Sequence, residues 1–452
     1  MNKLKVIILA GGQGTRMKSK IPKVLHKVLD RTMIDYVIEA SNDVNADDIM
    51  VIVGHQSAMV KGVLGSDIKY GYQKQQLGTG HAVMQALDFI GDDENILILY
   101  GDTPLIKKET LQKLIRIHNK ERNYATVISS FVDNPTGYGR IVRENGIFNK
   151  IVEQKDTSDR EAKINEINTG VYIFNSNALK SALDNLSNNN SQNEYYLTDT
   201  LEIIKNTGNK VGIMIADDNE EFLGVNSKYE LATAINVMKK RINKYHMDNG
   251  ITIEDPNNTY IGKDVIIGED TVILPGCIIE GKTTIGSDCL IGPYAKINNT
   301  EIKNCVNITQ STILNSFINS YTTVGPYAYL RPNSNIGEHV KIGDFVEIKN
   351  STIDDNTKVS HLTYIGDSDV GKNVNFGCGT VTVNYDGKYK HRTVIEDDAF
   401  IGCNTNLIAP VKIGKNASTG AGSTITNDVP QNALAISRVK DQINKLDYNN
   451  NK

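Results

Sequence analysis

An apolar residue returns at every sixth position along part of the second half of the chain. Isoleucine recurs in this way, and glycine follows several of its positions: Ile261, Ile267, Ile273, Ile279, Ile285, Ile291 and Ile297. This period fits neither an α-helix nor a two-faced strand. It is typical of a parallel β-helix, whose triangular coils turn one aliphatic residue inward on each side. Because a single coil cannot bury its apolar residues alone, the pattern predicts a stack of coils over residues 251–437.

The six-residue pattern is interrupted at two places. It slips around Ile302–Ile318, and the segment Asn384–His391 breaks it again before Ile395 restores it. An insertion in a coil has to leave the prism and project outward. Projecting loops on a rigid scaffold often carry binding sites, so we expect residues 384–391 to border a site.

The first half of the chain alternates short aliphatic runs with helical stretches. This alternation predicts an α/β domain with a parallel or mixed sheet, whose ligands bind at the carboxyl ends of the strands. The predicted strands are Val6–Ala10, Ile49–Val53, Ile96–Tyr100, Ala125–Phe131 and Gly170–Phe174, and the predicted helices are Met33–Ala40, Gly80–Phe89 and Lys108–Lys120.

A long helical stripe lies between these two patterns. Ser227 and Glu230 have the spacing of a capping box, and Gly250 is a plausible end. We therefore predict four segments: a first domain over 1–227, a connecting helix over 228–250, the β-helix over 251–437, and a polar, disordered tail over 438–452.

Composition narrows the class of protein. The chain has 49 basic and 53 acidic residues, a net charge of -4, which argues against a general nucleic-acid binder. It has neither a secretion signal nor an apolar run long enough to span a membrane, which predicts a cytoplasmic protein. Its five cysteines are scattered and include no CxxC pair, as expected for free thiols in a reducing compartment: Cys277, Cys289, Cys305, Cys378 and Cys403.

Glycines directly follow the first predicted strand. The segment Leu9–Met17 reads LAGGQGTRM, and Lys23 follows in an Ile-Pro-Lys stretch. Such a turn can aim backbone N–H groups at a phosphate, while Arg16 and Lys23 add positive charge. A glycine-rich turn is also compatible with a merely tight strand–helix connection.

Three other features belong to the same end of the predicted sheet. Asp102 follows the strand Ile96–Tyr100 and offers a carboxylate to a hard cation, although a plain turn aspartate is equally compatible. Asn226 is a second oxygen ligand or simply a polar residue at a helix start. Gln73, Gln76 and the Gly78-Thr79-Gly80 stretch can read a base edge or form an ordinary loop.

Taken together, the LAxGxGTRM segment and Pro-Lys resemble the sugar-1-phosphate nucleotidyltransferases over residues 1–230. The resemblance implies a Rossmann-like, GT-A-like mixed-sheet domain. It implies Mg²⁺, as one or two ions, on Asp102 and Asn226, and charge neutralisation by Arg16 and Lys23. It also implies a nucleotide and sugar pocket formed by Leu9, Ala10, Gly11, Gly12, Gly14, Thr15, Gln73, Gln76, Gly78, Thr79, Tyr100, Gly101, Gly139, Glu153, Asn168, Thr169 and Asn226.

The second half offers a different chemistry. His361 can accept a proton near neutral pH, although a lone histidine is more often a surface or interface residue. Glu347 and Lys349 lie two apart on a predicted strand and share a face. A carboxylate there can orient the imidazole while Lys349 and Arg331 bind a sugar phosphate. By itself, such a charged pair is better explained as part of a solvated coil face.

A series of short motifs follows in order across this half of the chain: Arg331-Pro332, Glu347-x-Lys349, His361-Leu-Thr-Tyr364, Asn375, Asn384-Tyr385-Asp386-Gly387, Lys390 and Ala433–Arg438. The series resembles the second half of the bacterial bifunctional N-acetylglucosamine-1-phosphate uridylyltransferase/glucosamine-1-phosphate acetyltransferase family. The resemblance covers nearly the whole chain and implies a left-handed β-helix that forms homotrimers with shared acetyl sites. His361 matches the general base and Glu347 its support. Glucosamine-1-phosphate binding is implied for Arg331, Lys349, Tyr364, Asn375 and Lys390, and acetyl-CoA binding for Cys378, Asn384, Tyr385, Cys403, Ala421 and Arg438.

Three other functions are also compatible with parts of the sequence. A single-activity nucleotidyltransferase with a structural or regulatory β-helix does not need His361 or the Arg331 and Lys349 pair. A metal enzyme of the γ-carbonic anhydrase type would use His339, His361 and His391, although their spacing is wrong for that type. A non-catalytic nucleotide-sensing scaffold is the third. The bifunctional hypothesis requires UTP, glucosamine-1-phosphate, N-acetylglucosamine-1-phosphate and acetyl-CoA as small-molecule partners.

Overall fold

A computed structural model describes residues 3–439 and residue 442. Most of the tail predicted to be disordered, 438–452, lies outside the described residues. The chain divides into two compact units, Met1–Met238 and Lys239–Lys452. The division falls within the predicted connecting helix, and the boundaries 1–227, 228–250 and 251–437 remain predictions.

A nine-stranded sheet forms the centre of the first unit. Its strands are both parallel and antiparallel, so the predicted mixed sheet is confirmed. Its strand order is β9-β5-β8-β4-β1-β2-β3, with β6 paired to β8 and β7. The parallel strands β1, β2 and β4 end at one edge, whereas β8 runs antiparallel to β4 and β5. The strands are β1 (Leu4–Leu9), β2 (Asp48–Val53), β3 (Lys69–Tyr72), β4 (Asn95–Tyr100), β5 (Ala125–Phe131), β6 (Arg140–Glu144), β7 (Ile147–Val152), β8 (Glu166–Asn175) and β9 (Val211–Ile215).

Helices cover both faces of this sheet. Val6 and Ile8 of β1 pack into one buried cluster, and Ile7 and Leu9 pack into another on the opposite face. Burial on both faces explains why β1 is continuously aliphatic instead of alternating. The helices are α1 (Met33–Asn42), α2 (Ser57–Leu64), α3 (Thr79–Met84), α4 (Lys108–Glu121), α5 (Ser176–Asp184), α6 (Asp199–Asn206) and α7 (Lys228–Asp248).

Short elements account for most differences from the sequence prediction. Helix α3 ends at Met84, so the predicted extension to Phe89 is wrong; irregular turns replace it. The hairpin β6–β7 and helices α2, α5 and α6 were not predicted. Single 3₁₀ turns lie at Thr15–Met17, Lys23–Leu25, Gln154–Asp156, Glu161–Lys163 and Asn219–Phe222, and a small two-stranded sheet joins Lys27–Val28 to Arg31–Thr32.

Helix α7 begins and ends near the predicted signals. The Ser227 hydroxyl accepts a hydrogen bond from the Glu230 N–H at 3.2 Å, as one half of a capping box requires. In a standard capping box the Glu230 carboxylate would accept from the Ser227 N–H. Here it accepts from the N–H of the preceding residue, Asn226, at 2.7 Å. Gly250 has a φ of 89°, a left-handed conformation that suits glycine after a helix end.

Within the residues that the structure describes, three parallel sheets of eleven, ten and nine strands form the second unit. The first face contains Thr252–Ile253, Val272–Ile273, Leu290–Ile291, Asn307–Ile308, Thr323–Val324, Lys341–Asp344, Lys358–His361, Asn375–Phe376, Phe400–Ile401, Ser418–Thr419 and Leu434–Ala435. The second contains Tyr260–Ile261, Ile278–Glu280, Lys296–Asn298, Thr312–Leu314, Tyr329–Leu330, Glu347–Lys349, Tyr364–Gly366, Val381–Val383, Asn406–Ile408 and Thr424–Ile425. The third contains Ile266–Ile267, Thr284–Ile285, Glu301–Ile302, Phe317–Ile318, Asn335–Ile336, Thr352–Ile353, Ser368–Val370, Thr393–Ile395 and Val411–Ile413.

Stacked isoleucines form the core of this β-helix, which confirms the predicted fold. Ile285 pairs with Ile302, which pairs in turn with Ile318, so neighbouring coils stay in register where the six-residue pattern slips. The slip is therefore absorbed by shorter turns at the corners. The predicted projecting segment leaves the prism as a small antiparallel loop, in which Tyr385 and Lys390 pair.

Candidate active sites

The predicted glycine turn lies at the carboxyl edge of the central sheet. Leu9 ends β1 opposite Tyr100 of β4 and Ile52 of β2. Gly14 has a φ of 61°, and a Cβ atom there would lie 2.8 Å from the Cβ atom of Lys23. Only glycine therefore allows the turn to approach Lys23 this closely.

A cavity of about 340 Å³ opens at this edge. Most of the predicted nucleotide residues line it, which brings together segments far apart in the sequence. Sequence reasoning missed Val24, Ala82 and Glu194. The predicted residues at the cavity are Leu9, Ala10, Gly11, Gly12, Lys23, Gln73, Gln76, Gly78, Thr79, Tyr100, Asp102 and Asn226.

Lys23 joins the two predicted metal ligands at the cavity wall. Its Nζ donates to Asp102 Oδ2 in a short ion pair and to Asn226 Oδ1 at 2.9 Å. The Asp102 carbonyl also accepts from the Val225 N–H at 3.0 Å, which fixes the neighbouring Asn226 beside it. Two side-chain oxygens therefore converge on one position that already favours a cation.

Gln73 and Gln76 line the cavity beside Gly11. Gln73 is buried, and its Nε2 donates to the Gly78 carbonyl at 3.0 Å and lies 3.2 Å from His81 Nδ1. Gln76 is exposed and makes only a long 3.5 Å contact from Nε2 to the Gly11 carbonyl. Gln76 therefore keeps its amide available to a ligand, whereas Gln73 shapes the wall.

The predicted sugar residues form a separate group of contacts. A Cβ atom at Gly139 would lie 3.5 Å from the Glu153 carboxylate, whose Oε1 accepts from Thr198 Oγ1 at 3.1 Å. Asn168 donates to the Tyr172 hydroxyl at 2.6 Å. Burial raises the pKa of Glu153, and the carboxylates of Asp156 and Glu194 add to the rise.

Tyr100 connects this group to the cavity. A Cβ atom at Gly170 would lie 2.7 Å from the Tyr100 ring, so glycine is required there. Burial raises the pKa of the Tyr100 hydroxyl, and the charges of Glu153 and Asp102 contribute. Thr169 donates to the Ile128 carbonyl at 2.8 Å and is buried. Thr15 and Arg16 lie exposed in the 3₁₀ turn Thr15–Met17, outside the cavity lining.

His361 lies at a corner of the β-helix, at the end of the strand Lys358–His361. Its Nδ1 is 2.6 Å from Asp344 Oδ1. Within one chain Glu347 does not contact this imidazole but accepts from Arg331 NH1 at 2.8 Å, so its support of His361 remains a prediction. Glu347 lies on the second face, beyond the corner that separates it from the first-face strand of His361.

Positive charge collects on the second face beside this corner. The neighbouring Lys390 ammonium, and then burial, lowers the pKa of Lys349, and Arg331 adds a further repulsion. The repulsion between these cations falls when an anion binds among them. The backbone N–H of Arg331 donates to the Ile348 carbonyl at 2.8 Å, which holds it one coil from Lys349.

A buried carboxylate lies beneath the cluster. Burial alone would raise the pKa of Asp367, but hydrogen bonds from Asn350 and Asn384 and the charge of Lys349 lower it. A Cβ atom at Gly366 would lie 2.4 Å from the Tyr364 hydroxyl, so glycine leaves room for that ring. Gly366 therefore lies close to both the Tyr364 hydroxyl and the buried Asn384 amide.

The predicted acetyl-CoA residues follow one another along the same corner as His361, on the coils after it. The Cys378 carbonyl accepts from the Asn404 N–H, and the Cys403 carbonyl accepts from the Gly422 N–H, both at 2.7 Å. Arg438 NH1 donates to the Ala421 carbonyl. Cys378, Cys403 and Ala421 thus occupy successive coils, while Tyr385 is exposed on the projecting loop.

Asn375 does not join this group within one chain. It lies on the first face, paired with Lys358, and lines a separate recess with His339 and Asn373. The histidines of the carbonic anhydrase alternative are also apart. Among residues 3–439 and 442, no three His, Cys, Asp or Glu side chains gather as metal ligands.

Family models match both halves of the chain. The Nucleotidyl transferase model matches residues 5–250. The GMPPB C-terminal domain model matches residues 315–386, and the Bacterial transferase hexapeptide (six repeats) model matches 264–299 and 392–427.

Curated relatives match nearly end to end. The Bifunctional protein GlmU of Clostridioides difficile (strain 630) is 53% identical, over 97% of this chain and 96% of its own. That of Clostridium perfringens (strain SM101 / Type A) is 56% identical, over 98% and 97%. The chain belongs to the bifunctional GlmU family. Membership confirms the predicted fold class and the predicted enzyme of UDP-N-acetylglucosamine biosynthesis with nucleotidyltransferase and acetyltransferase activities. It does not support the single-activity alternative.

In the part of the chain that the structure describes, no helix is both long and apolar enough to cross a membrane. The hexapeptide repeats of the GlmU family are consistent with assembly of the β-helix into oligomers.

Proposed function

We propose that the cavity of the first unit transfers a uridylyl group from UTP to N-acetylglucosamine-1-phosphate. The corner around His361 would transfer acetyl from acetyl-CoA to glucosamine-1-phosphate. The observation that carries this proposal is the presence of two separately built polar sites, each with basic side chains, in a chain of the bifunctional GlmU family. One gathers Lys23, Asp102 and Asn226, and the other gathers Arg331, Lys349 and Lys390.

Uridylyl transfer needs charge neutralisation more than covalent chemistry. A phosphate oxygen of the sugar attacks the α-phosphorus of UTP, the bond to the β-phosphate oxygen breaks, and pyrophosphate leaves. Both reactants are anions, so Lys23 and Arg16 stabilise the charge that accumulates between them. Gly11, Gly12 and Gly14 let the backbone approach the phosphates, and Gln76 binds the uracil edge.

The residues at the cavity fit Mg²⁺. Asp102 and Asn226 supply the oxygen donors that this ion prefers, and a few protein ligands suffice because water and phosphate complete its shell. When bound, Mg²⁺ would neutralise phosphate charge. Lys23 already bridges the two oxygens, so it holds them in place.

Acetyl transfer needs a base. His361 removes a proton from the amine of glucosamine-1-phosphate, and the amine nitrogen attacks the thioester carbonyl. The tetrahedral oxyanion then collapses, the C–S bond breaks, and CoA leaves as the thiolate. Arg331, Lys349 and Lys390 hold the sugar phosphate, with Tyr364 and Asn384 beside it, and no metal takes part.

A homotrimer would complete the acetyl site. An apolar ridge, Tyr294, Tyr327, Phe345 and Leu362, follows one corner of the β-helix, and each of these side chains is more than half exposed. All four have positive φ angles, at a strain on the order of 1 kcal/mol each. His361 immediately precedes Leu362, so a second copy packed on the ridge would cover the imidazole.

Two assays on the purified protein test the function. With UTP, N-acetylglucosamine-1-phosphate and Mg²⁺ it should release pyrophosphate, and EDTA should stop this release. With glucosamine-1-phosphate and acetyl-CoA it should release CoA, with or without EDTA. Absence of either product, or acetyl transfer that depends on Mg²⁺, would contradict the proposal.

Phe345→Glu should dissociate the trimer. A charge in the middle of the ridge cannot be buried against a neighbour, since an unpaired buried carboxylate is strongly unfavourable. Light scattering should give the mass of a monomer, with acetyl transfer lost and uridylyl transfer within about two-fold of wild type. The matched control is Ile266→Glu, an equally exposed apolar residue on the third face. A trimeric, active Phe345→Glu protein would refute the proposed interface.

Thiol-directed reagents should inhibit acetyl transfer and spare uridylyl transfer. Cys403 is exposed and Cys378 partly so, and both border the proposed acetyl-CoA site, whereas Cys277 and Cys289 are buried. Burial also raises the pKa of Cys277, to about 11, which leaves it unreactive. The double variant Cys378→Ala, Cys403→Ser should keep its activity and become resistant. Unchanged sensitivity in that variant would mean that another thiol is responsible.

We also propose a cytoplasmic location, which suits free cysteines and these substrates.

A further inference from the structure

Asp344 is the side-chain partner of His361 within one chain. The proposed acetyl-transfer steps assign no role to Asp344. The two side chains make a 2.6 Å contact between Nδ1 and Oδ1. Both remain partly open to solvent, His361 at 59% and Asp344 at 38% of the side chain. The contact therefore leaves the far side of the imidazole accessible to a substrate.

The backbone fixes this contact. Asp344 and His361 are opposite each other in the register of adjacent first-face strands. The Leu362 N–H donates to the Asp344 carbonyl at 3.0 Å, which extends the pairing past the corner. A Cβ atom at Gly343 would lie 1.9 Å from the Ser360 carbonyl oxygen, so glycine permits the close approach of the two coils. Asp344 is held beneath His361 by the coil repeat itself.

We infer that Asp344 is a positioning residue for acetyl transfer, which fixes the His361 tautomer with its proton on Nδ1. This inference rests on the proposed role of His361 as the base. With Nδ1–H donating to the carboxylate, Nε2 carries the lone pair that accepts the proton of the amine. The carboxylate then stabilises the imidazolium that forms, as the aspartate does in histidine-based catalytic triads.

The surroundings of the pair agree with this role. The hydrogen bond from His361 is the main cause that lowers the pKa of Asp344, which keeps the carboxylate charged. Lys341 lies on the Asp344 strand and Lys358 on the His361 strand. The next first-face strand brings Asn375 and Phe376, neither of which titrates, and the Cys378 thiol follows it at the position level with His361. Asp344 is thus the only acidic side chain on these three strands.

The test compares Asp344→Asn and Asp344→Ala with wild type. Asparagine can still accept from Nδ1 but carries no charge, whereas alanine removes both contact and charge. We expect acetyl-transfer kcat to fall roughly 10- to 100-fold for Asn and further for Ala, as part of the general-base contribution. KM should change less than about three-fold. The acid limb of the rate profile should move to lower pH in Asp344→Asn, because the imidazolium loses its neighbouring negative charge.

Control measurements separate the positioning role of Asp344 from an effect on oligomer assembly and from a failure of the proposed acetyl-transfer function. Asp355→Asn removes a comparable β-helix carboxylate, paired to Lys372, and should leave rate and profile unchanged. Light scattering should show that the Asp344 variants keep the oligomeric state of wild type. A kcat within two-fold of wild type for Asp344→Ala, or an unmoved acid limb in Asp344→Asn, would overturn the inference. If His361→Ala were itself fully active, the proposed function would fail instead.

Discussion

His361→Ala should lower acetyl transfer by about 10³-fold and leave UDP-sugar formation within about two-fold of wild type. The imidazole is the proposed acceptor of the amine proton. The alanine variant leaves no base at the position that His361 occupies next to Asp344 Oδ1. The uridylyl cavity is built wholly from residues of the first unit. CoA release and pyrophosphate release, measured on the same preparation, check both halves of this prediction.

His339→Ala is the matched control, since His339 is an exposed β-helix histidine that stacks on Tyr321. It should retain both activities. Loss of pyrophosphate release in His361→Ala would show that the two sites are not independent. Retained CoA release would remove His361 from the mechanism.

Lys23→Ala should have the opposite effect. The variant loses the ammonium that bridges Asp102 and Asn226, and with it a positive charge at the reacting phosphates. Uridylyl transfer should fall by about 10²- to 10³-fold, the usual loss for one electrostatic group in a catalytic site. Arg16→Ala should lower the same activity, and acetyl transfer should persist in both variants.

Lys20→Ala provides the comparison, because Lys20 is an exposed lysine of the same segment that does not line the cavity. Its uridylyl transfer should equal that of wild type. Equal losses in Lys20→Ala and Lys23→Ala would mean that general positive charge, and not the bridge to Asp102, is what matters.

The β-helix could be predicted closely because its signal is simple. One buried side chain per short strand leaves a six-residue period that chance does not produce, and Ile261 to Ile297 display it directly. The mixed sheet was also predictable from its aliphatic strands. Short elements such as Arg140–Glu144 and Asp199–Asn206 were missed because they bury few residues and depend on tertiary packing.

The glycine turn and Asp102 could be placed at one edge of the sheet because the carboxyl ends of parallel strands meet there, whereas the full set of cavity residues was implied by the family resemblance. Glu194 was missed because it enters from a loop that follows helix α5, where spacing gives no guidance. Arg16 was placed on the correct turn, but its exposed position outside the cavity lining depends on the 3₁₀ turn Thr15–Met17.

The partner that His361 has within one chain was not predicted, although a usable signal was present. The family resemblance implied Glu347 as the support of His361, whereas coil stacking pairs His361 with Asp344 and Tyr364 with Glu347. Residues that lie opposite each other on these neighbouring coils are 17 positions apart in the sequence. Counting back by one coil from His361 would have identified Asp344.

The central claim, two independent sites on one chain, is tested most directly by mixing the two variants. His361→Ala and Lys23→Ala are each supplied with glucosamine-1-phosphate, acetyl-CoA, UTP and Mg²⁺, separately and together, and UDP-N-acetylglucosamine is measured. Each variant alone should form the product at no more than about a hundredth of the wild-type rate. The mixture should form it readily, because Lys23→Ala releases N-acetylglucosamine-1-phosphate for His361→Ala to use. A mixture as inactive as its components, or a single variant that completes both steps, would contradict the claim.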